Sequence, residues 1–279
     1  MLFRSAALQA EVGLDLDGHS DPMARFPAHL GLAFWQRAMA QAGDELLGME
    51  VALSFLPLNF NDLGYALMAS ANLGEMYLRL SRFAHVVTDA ADLRFVRGEG
   101  ASTLTLTGDN AVLSRADDLT RWSIFDYAVL TIVRGSRMLY GRDFMPLEIR
   151  LQRQRPAQHE RLERVLRCVP VYGCADNAIV VDHAQLDRPL SFANGAVVQA
   201  SEGALERYRM QPPFEHPRPR LLLSVVWPGG RVMHYTTMRP QCWDDFLAGN
   251  QPAQERGATM EVDRKSTRLN SSHSQQSRM

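Results

Sequence analysis

One helical pattern, from Asp117 to Tyr140, limits the architecture more strongly than any other segment of the chain. Its apolar side chains cover most of the helix circumference rather than one stripe, and they are Leu119, Trp122, Phe125, Val129, Ile132, Val133 and Leu139. A helix that is apolar on nearly all sides has to be surrounded by other elements. We therefore expect a buried central helix, which the carboxylates of Asp117 and Asp118 begin and Gly141 ends.

Helical periodicity also dominates the chain before this pattern. It recurs in residues 28–43, 44–55, 61–71 and 72–90. In the second of these segments Asp44 is the predicted N-cap, and Pro57 is predicted to end the helix. The period then changes to two in LRFVR and ASTLTLTG, on either side of a glycine-containing turn, which is typical of a β-hairpin.

After the central helix, short strands alternate with helices. PLEIRLQRQ and NAIVVD are predicted strands, AQHERLERVLRC is a predicted surface helix, and AVVQASEGALERYRM is the last predicted helix. These elements do not follow a regular βαβ order, so the sequence predicts the α+β class. We expect a helix-rich ligand-binding domain with a small antiparallel or mixed sheet and a long buried central helix.

The composition excludes several classes of protein. Of the 279 residues 46% are hydrophobic and 22% are charged, and the formal net charge of −1 creates no global attraction to nucleic acid or lipid. The three cysteines are odd in number and form no C-x-x-C, which argues against a disulfide framework or a structural zinc site and favours a reducing cytoplasm. No apolar run reaches the roughly 18 residues of a membrane span, and the N terminus lacks the apolar core of a signal peptide.

Motifs for catalysis, metal binding and cofactor binding are absent from the sequence. It contains no G-x-S-x-G, no phosphate loop ending in G-K-[ST], no H-E-x-x-H and no G-x-G-x-x-G. His159 has no partner at metal-ligand spacing, so we expect no metal, no cofactor and no enzyme activity. The arginines between Arg150 and Arg167 have two interpretations: a phosphate-binding patch or, because glutamates are interleaved, a solvated helix face, which we favour.

Some polar-tipped side chains on the apolar helices are candidates for contact with a small ligand, because a mostly apolar cavity needs a few such groups to orient its ligand. These candidates are Tyr65, Tyr77, His85, Trp122 and Tyr127. Each has an alternative interpretation as an ordinary core residue, and His85 in particular as a core histidine bonded to a backbone carbonyl.

Three motifs follow one another along the chain. They are the helix LGYALMASANLGE at 63–75, the strand PLEIRL at 146–151, and a box of VYG at 171–173 with Asn177 and Ile179, followed by LDRPL. Together with residues 21–53 they resemble the N-terminal effector domain of AraC/XylS-type bacterial transcription regulators, in the branch called the arabinose-binding domain. The resemblance covers residues 21–210.

The resemblance implies an effector-binding and dimerising domain, joined by a linker to a DNA-binding domain of two helix-turn-helix units. The expected partners are therefore a small-molecule effector, promoter DNA and a second copy of the chain as a homodimer, in the cytoplasm and without a membrane. The identity of the effector, the operator, the DNA-contacting residues and the direction of regulation do not follow from the sequence.

The chain departs from the family after residue 210. Residues 211–220 contain four prolines and are the predicted linker. Residues 221–262 lack a clean helix-turn-helix pattern, and we interpret them as a remnant damaged by compensating frameshifts, since shifting the frame of plausible codons restores helix-turn-helix-like strings. Residues 263–279 are interpreted as a disordered tail from adapter read-through, because a back-translation of 263–273 resembles a sequencing adapter. A basic DNA-binding arm is the alternative.

Two other functional classes stay open at this point. A stand-alone small-molecule-binding or dimerisation module without DNA binding is favoured if the gene stops after Val262, whereas intact helix-turn-helix units downstream favour the regulator. An enzyme with an active site built by shape alone would be revealed by turnover that one pocket mutation removes.

Overall fold

The structure of the chain is a computed structural model that describes residues 5–13, 28–88, 91–108, 112–209, 224–226 and 232–234. These residues belong to one unit, composed of Met1–Asp15 and Met23–Thr236. A second unit, composed of Leu16–Pro22 and Thr237–Met279, lies outside the described residues.

The predictions for the C-terminal part of the chain fall mostly outside this description. The linker at 211–220 and the tail at 263–279 lie wholly outside the described residues. Within 221–262, the described residues form two short strands, Ser224–Val226 and Val232–His234, paired antiparallel. The interpretation of this range as a helix-turn-helix remnant therefore stays a prediction.

Among the described residues, the first unit begins with helices, and strands enter the chain only after Val87. The described helices are α1 (Ser5–Val12), α2 (Ala28–Ala42), α3 (Leu47–Leu53), α4 (Asp62–Met68), α5 (Leu73–Val87), α6 (Asp118–Tyr140), α7 (His159–Leu166), α8 (His183–Asp187) and α9 (Gly195–Arg209), with short 3-10 helices at Pro57–Phe60 and Leu113–Arg115. The main strands are β1 (Asp92–Arg97), β2 (Ala101–Thr107), β3 (Glu148–Leu151), β4 (Val171–Tyr172) and β5 (Asn177–Asp182). The two C-terminal strands are β6 and β7.

The long helix α6 is the buried central helix that the sequence predicts. The Asp117 carboxylate caps it by accepting a hydrogen bond from the backbone N–H of Thr120 at 2.9 Å. Gly141 ends the helix with a φ of +114°, which a residue with a Cβ rarely adopts. The prediction that Leu119 is buried is wrong, because its side chain is 49% exposed in the first turn, where Asp118 is also exposed.

Polar side chains are buried along α6 as well, which the apolar pattern does not reveal. The Ser123 hydroxyl accepts hydrogen bonds from Trp35 Nε1 at 3.1 Å and from the backbone N–H of Gly48 at 2.9 Å. About three and a half turns further on, Ser136 donates to the carbonyl of Ile132 at 2.8 Å. These hydroxyl groups have the partners that burial of a polar group requires.

Helix α3 lies close against α6 because Gly48 has no side chain. A Cβ added at Gly48 would lie 1.8 Å from the backbone carbonyl oxygen of Ser123, far inside van der Waals contact. Glycine is therefore required where the two helices meet, and this contact fixes the position of α3 on the central helix.

The start and end of α3 differ from the prediction. The helix begins at Leu47, and the Asp44 carboxylate instead accepts from the N–H of Leu46 at 2.9 Å in the preceding turn. The predicted N-cap is wrong because an aspartate can stabilise a turn before a helix by the same type of bond. The helix ends at Leu53, and Pro57 opens the following 3-10 helix rather than ending α3.

The sheet has the order β1-β2-β5-β3-β4. Its neighbours are antiparallel except for β3 and β4, which are parallel, so the mixed sheet of the predicted α+β fold is confirmed. Alternate residues of β2 face the core, with Leu104 and Leu106 fully buried beside Ile179 and Val181 of β5. Helix α8 and the two-residue strand β4 are too short to have a clear sequence signal, and α1 has no apolar face that would indicate a helix.

Candidate ligand-binding cavity

A cavity of about 150 Å³ lies between the central helix and the elements around it. Helix α2 contributes Trp35, α5 contributes Leu80 and Ala84, and β2 contributes Leu106. The central helix contributes one face, made of Ile124, Tyr127, Ala128, Thr131 and Ile132. The i, i+4 and i+7 spacing of Ile124, Ala128 and Thr131 places them on the same side of α6. The helical part and the sheet of the domain therefore meet at this cavity.

The aromatic rings of Trp35, Phe60 and Tyr127 line the cavity, and Phe55 packs against two of them from outside its lining. The Trp35 and Tyr127 rings are 5.8 Å apart, and the ring of Phe55 lies 6.1 Å from Tyr127 in an edge-to-face arrangement. Phe55 also packs on Phe60, with 4.5 Å between the ring centres. Rings in these tilted arrangements support one another, so the wall is preformed.

The lining is mostly apolar, and the side chains in it that carry a hydroxyl group are Thr88, Tyr127 and Thr131. Thr131 differs from most buried hydroxyl residues in its hydrogen bonding. Its side chain is 6% exposed, and its hydroxyl oxygen has no hydrogen-bond partner within the described part of the chain. By contrast, the indole N–H of Trp35 is already used, because it donates to Ser123. Buried hydroxyl groups in folded proteins normally have a partner, so Thr131 marks a point where one more polar atom could be received.

A second, smaller cavity adjoins the first. Its volume is about 30 Å³, and it lies toward Phe55, Leu67 and Leu139. The residues common to both cavities are Phe60, Leu80, Thr131 and Ile132. Thr131 therefore lies at the boundary between the two spaces.

Of the predicted site residues, the structure brings only Tyr127 into the lining of the main cavity. Tyr65 is 52% exposed on α4, and His85 is half-buried on α5, outside the set of residues that line the cavity. Tyr77 is buried and donates to Ser136 at 2.8 Å, and burial raises the pKa of this phenol above its ordinary value. Whether any of these residues contacts a ligand stays a prediction.

Trp122 lies at a different place, in a more polar cavity of about 210 Å³ that Asp118, Arg121 and Gln152 also line. The guanidinium of Arg153 lies 5.9 Å from the centre of the indole ring, which is within the range of a cation–π contact. The predicted residues are therefore divided among several environments rather than gathered in one.

Sequence reasoning missed Thr131, Trp35 and Ala128. Each lies in an apolar helical stripe and has the same pattern as a core residue, so the sequence cannot show that a space is left beside it. The one available signal was the hydroxyl of Thr131 in the apolar run AVLTIV, since a polar group there needs either a helix carbonyl or an outside partner.

A buried ionic cluster lies on the opposite side of α6. Arg153 is 2% exposed and pairs with Asp126, which is also buried, and with Glu45 at 3.0 Å. Burial raises the pKa of the Asp126 carboxyl to about 7, although the adjacent Arg153 opposes the shift. The cluster connects the central helix to the residues that precede α3 and follow β3.

The favoured interpretation of the arginine-rich stretch as a solvated face is wrong for Arg153, because the carboxylates of Asp126 and Glu45 allow its burial. Other arginines of the stretch are also paired with acids, since Arg150 contacts Asp176 at 2.9 Å and Arg161 contacts Glu50 at 2.6 Å. Arginines neutralised in this way are poorly suited to bind phosphate, which argues against the alternative interpretation.

The described residues offer little for catalysis or metal binding. Among them, no group of histidine, cysteine and acidic side chains could hold a metal ion. Burial raises the pKa of the Cys168 thiol, which disfavours the thiolate that a nucleophile needs. Within the same ranges, no helix is both long and apolar enough to span a membrane.

Comparison with known proteins identifies relatives of this arrangement. The sequence profile of a family described as the arabinose-binding domain of AraC transcription regulators, N-terminal, matches residues 3–190. A comparison with curated protein sequences finds no match. The fold is similar to that of the transcriptional regulator CdpR from Pseudomonas aeruginosa, with a TM-score of 0.51 at 14% identity, over 71% of this chain and 59% of that one. This chain therefore spans less than two thirds of the length of that structure.

Proposed function

We propose that residues 21–210 are the sensor for a small-molecule effector. The family of the chain supports this, because the chain belongs to the AraC transcription regulators whose N-terminal part is the arabinose-binding domain. The effector occupies the cavity beside α6, and its binding controls transcription through a DNA-binding domain at promoter DNA. The regulator works in the bacterial cytoplasm as a homodimer, and the sensor has no catalytic role.

The observation that carries this proposal is the cavity itself. An apolar space of about 150 Å³ lies beside the central helix, and the hydroxyl of Thr131 in its wall has no hydrogen-bond partner among the described residues. Side chains around such a space make fewer packing contacts than a filled core would provide. A fold selected only for stability would gain by filling it with larger side chains. Retaining such a space is expected of a domain that a ligand completes.

The position of the cavity supports a role in signalling. A bound molecule would contact Trp35 of α2, Leu106 of β2 and Ala128 of α6 together, so it would stabilise one arrangement of these elements over others. A ligand shifts an equilibrium between two states only by the difference in its affinity for them. Contact with several elements at once is what makes such a difference attainable.

The proposal is tested by filling the cavity. Ala128 faces the space from the central helix, so Ala128→Leu occupies it with apolar atoms, whereas Ala40→Leu adds the same atoms at an exposed position of α2. Toluene binding by the purified full chain is measured by calorimetry. We expect wild type and Ala40→Leu to bind toluene and Ala128→Leu to lose binding while it keeps or raises its melting temperature.

Equal toluene binding by Ala128→Leu and wild type would contradict the assignment of the cavity as the effector site. An Ala84→Leu variant, which fills the same space from α5, provides the second measurement if Ala128→Leu does not fold.

A further inference from the structure

We infer that the effector is a mostly apolar molecule of single-ring size with one hydrogen-bonding group directed at Thr131, and that it is not a sugar. This inference rests on the proposed function, because it specifies the chemical class of molecule that the same cavity would take. It is drawn from the volume of the cavity, the chemistry of its lining and the unpaired hydroxyl.

The volume limits the size of the molecule. Pockets for drug-sized ligands typically enclose about 300–1,000 Å³, whereas an apolar cavity of about 150 Å³ admits a molecule such as benzene. The main cavity has about that smaller volume. The adjoining cavity of about 30 Å³ gives room for a substituent of one or two heavy atoms beyond Thr131.

The lining excludes a polyol. A pentose carries several hydroxyl groups, and each one buried without a partner costs about 1–3 kcal/mol. Most of the wall consists of side chains without hydrogen-bonding atoms, such as Leu80, Ala84 and Leu106. The hydroxyl groups of Thr88, Tyr127 and Thr131 are too few to pair with every hydroxyl of a pentose. Arabinose is the sugar in the family's description, and this cavity lacks the polar groups that would hold it.

Thr131 supplies the point of polar recognition. Its hydroxyl has no hydrogen-bond partner among the residues described, and its side chain borders both the large and the small cavity. A ligand with a hydroxyl or carbonyl group at this boundary forms the missing bond, whereas a purely apolar ligand of the same shape leaves Thr131 unpaired. The site therefore distinguishes a molecule with one polar group from its apolar isostere.

The test compares two probes of the same shape. Phenol and toluene differ by a hydroxyl in place of a methyl group, and Thr131→Val makes the equivalent change in the protein. Calorimetric titrations use the full chain as wild type, Thr131→Val and Thr131→Ser, with L-arabinose as a third probe. We expect Thr131→Val to weaken phenol binding about fivefold, to leave toluene binding unchanged, and Thr131→Ser to restore phenol binding. L-arabinose gives no binding heat.

The outcomes separate this inference from the proposed function. If Thr131→Val changes phenol and toluene binding equally, or changes neither of them, the role of Thr131 is overturned. L-arabinose binding that Ala128→Leu abolishes overturns the apolar class but leaves the cavity as the effector site. Probe binding that survives Ala128→Leu contradicts the proposed function itself. Thr131→Ala makes the same comparison if the valine variant unfolds.

Discussion

Two buried hydroxyl groups on the central helix differ in their hydrogen-bond partners, and this difference should determine how each hydroxyl affects the stability of the fold. Ser123 accepts two hydrogen bonds, from Trp35 and from Gly48, whereas Thr131, about two turns further along, has no partner in the described ranges. The two side chains have similar burial and similar chemistry. They should therefore respond oppositely when the hydroxyl is removed.

We predict that Thr131→Val raises the free energy of unfolding by about 1 kcal/mol, because it removes an unpaired buried hydroxyl and keeps the shape of the side chain. Ser123→Ala should lower it by about 1–3 kcal/mol, because two N–H donors lose their acceptor. Urea unfolding of the ligand-free protein measures both values. A loss of stability in Thr131→Val would mean that its hydroxyl has a partner in solution.

The ionic cluster predicts a dependence of stability on pH. The pKa of Asp126 is raised to about 7 in the folded protein, so the folded state binds more protons than the unfolded state between pH 4 and 7. The contribution of this carboxyl to the free energy of unfolding is fully present below pH 4 and is lost as the pH rises through 7. The free energy of unfolding of wild type relative to Asp126→Asn should therefore fall over this range. A rise of this difference with pH would indicate that the charge of Arg153 affects the pKa of Asp126 more strongly than burial does.

At the scale of elements, the contact of α3 with α6 depends on one glycine. Gly48→Ala would place a Cβ 1.8 Å from the Ser123 carbonyl oxygen and should cost about 3 kcal/mol of stability, since both helices have to move apart. Gly135→Ala is the matched control, because nothing lies within 4 Å of its added Cβ. Alanine inside a helix should stabilise the protein there by about 0.5–1 kcal/mol. Thermal unfolding of both variants checks the contrast.

The elements with strong local signals were predictable from the sequence. The boundaries of α6 follow from Asp117 and Gly141, and the β1–β2 hairpin follows from its alternation around a glycine turn. Short elements such as β4 exist because the sheet pairs them, Val171 beside Arg150, and that pairing brings together segments that lie far apart in the chain. The secondary-structure propensity of a short segment does not indicate which distant segment it pairs with.

The candidate site was much less predictable. Tyr127 was selected for its polar tip and does line the cavity, but Tyr65, Tyr77, His85 and Trp122 were selected by the same rule and lie elsewhere. A cavity is an absence of atoms among helices α2, α5 and α6 and the hairpin. Only their relative positions decide whether a space remains, and a single sequence does not specify those positions.

At the scale of the whole molecule, the proposal of a regulator requires a DNA-binding domain beyond the sensor. We predict that long-read sequencing of the locus, through the codons for Pro217 to Met279 and a few hundred bases beyond, will reveal one uninterrupted frame with two helix-turn-helix units. The protein encoded by that full frame should then slow the migration of its own promoter DNA in a gel-shift experiment. The absence of helix-turn-helix codons from every frame of that stretch would contradict this prediction.

The cavity beside α6 also makes the folded chain larger than its atoms require. Unfolding under hydrostatic pressure eliminates internal voids, and the volume change for typical proteins is about −20 to −100 mL/mol. Because of a space of about 150 Å³, the volume change of unfolding of this domain should lie toward the more negative end of that range. Pressure should therefore unfold wild type more readily than Ala128→Leu, as followed by tryptophan fluorescence. An effector that fills the space would make the protein resistant to pressure, so the pressure at which half of the protein unfolds reports whether the sensor is occupied.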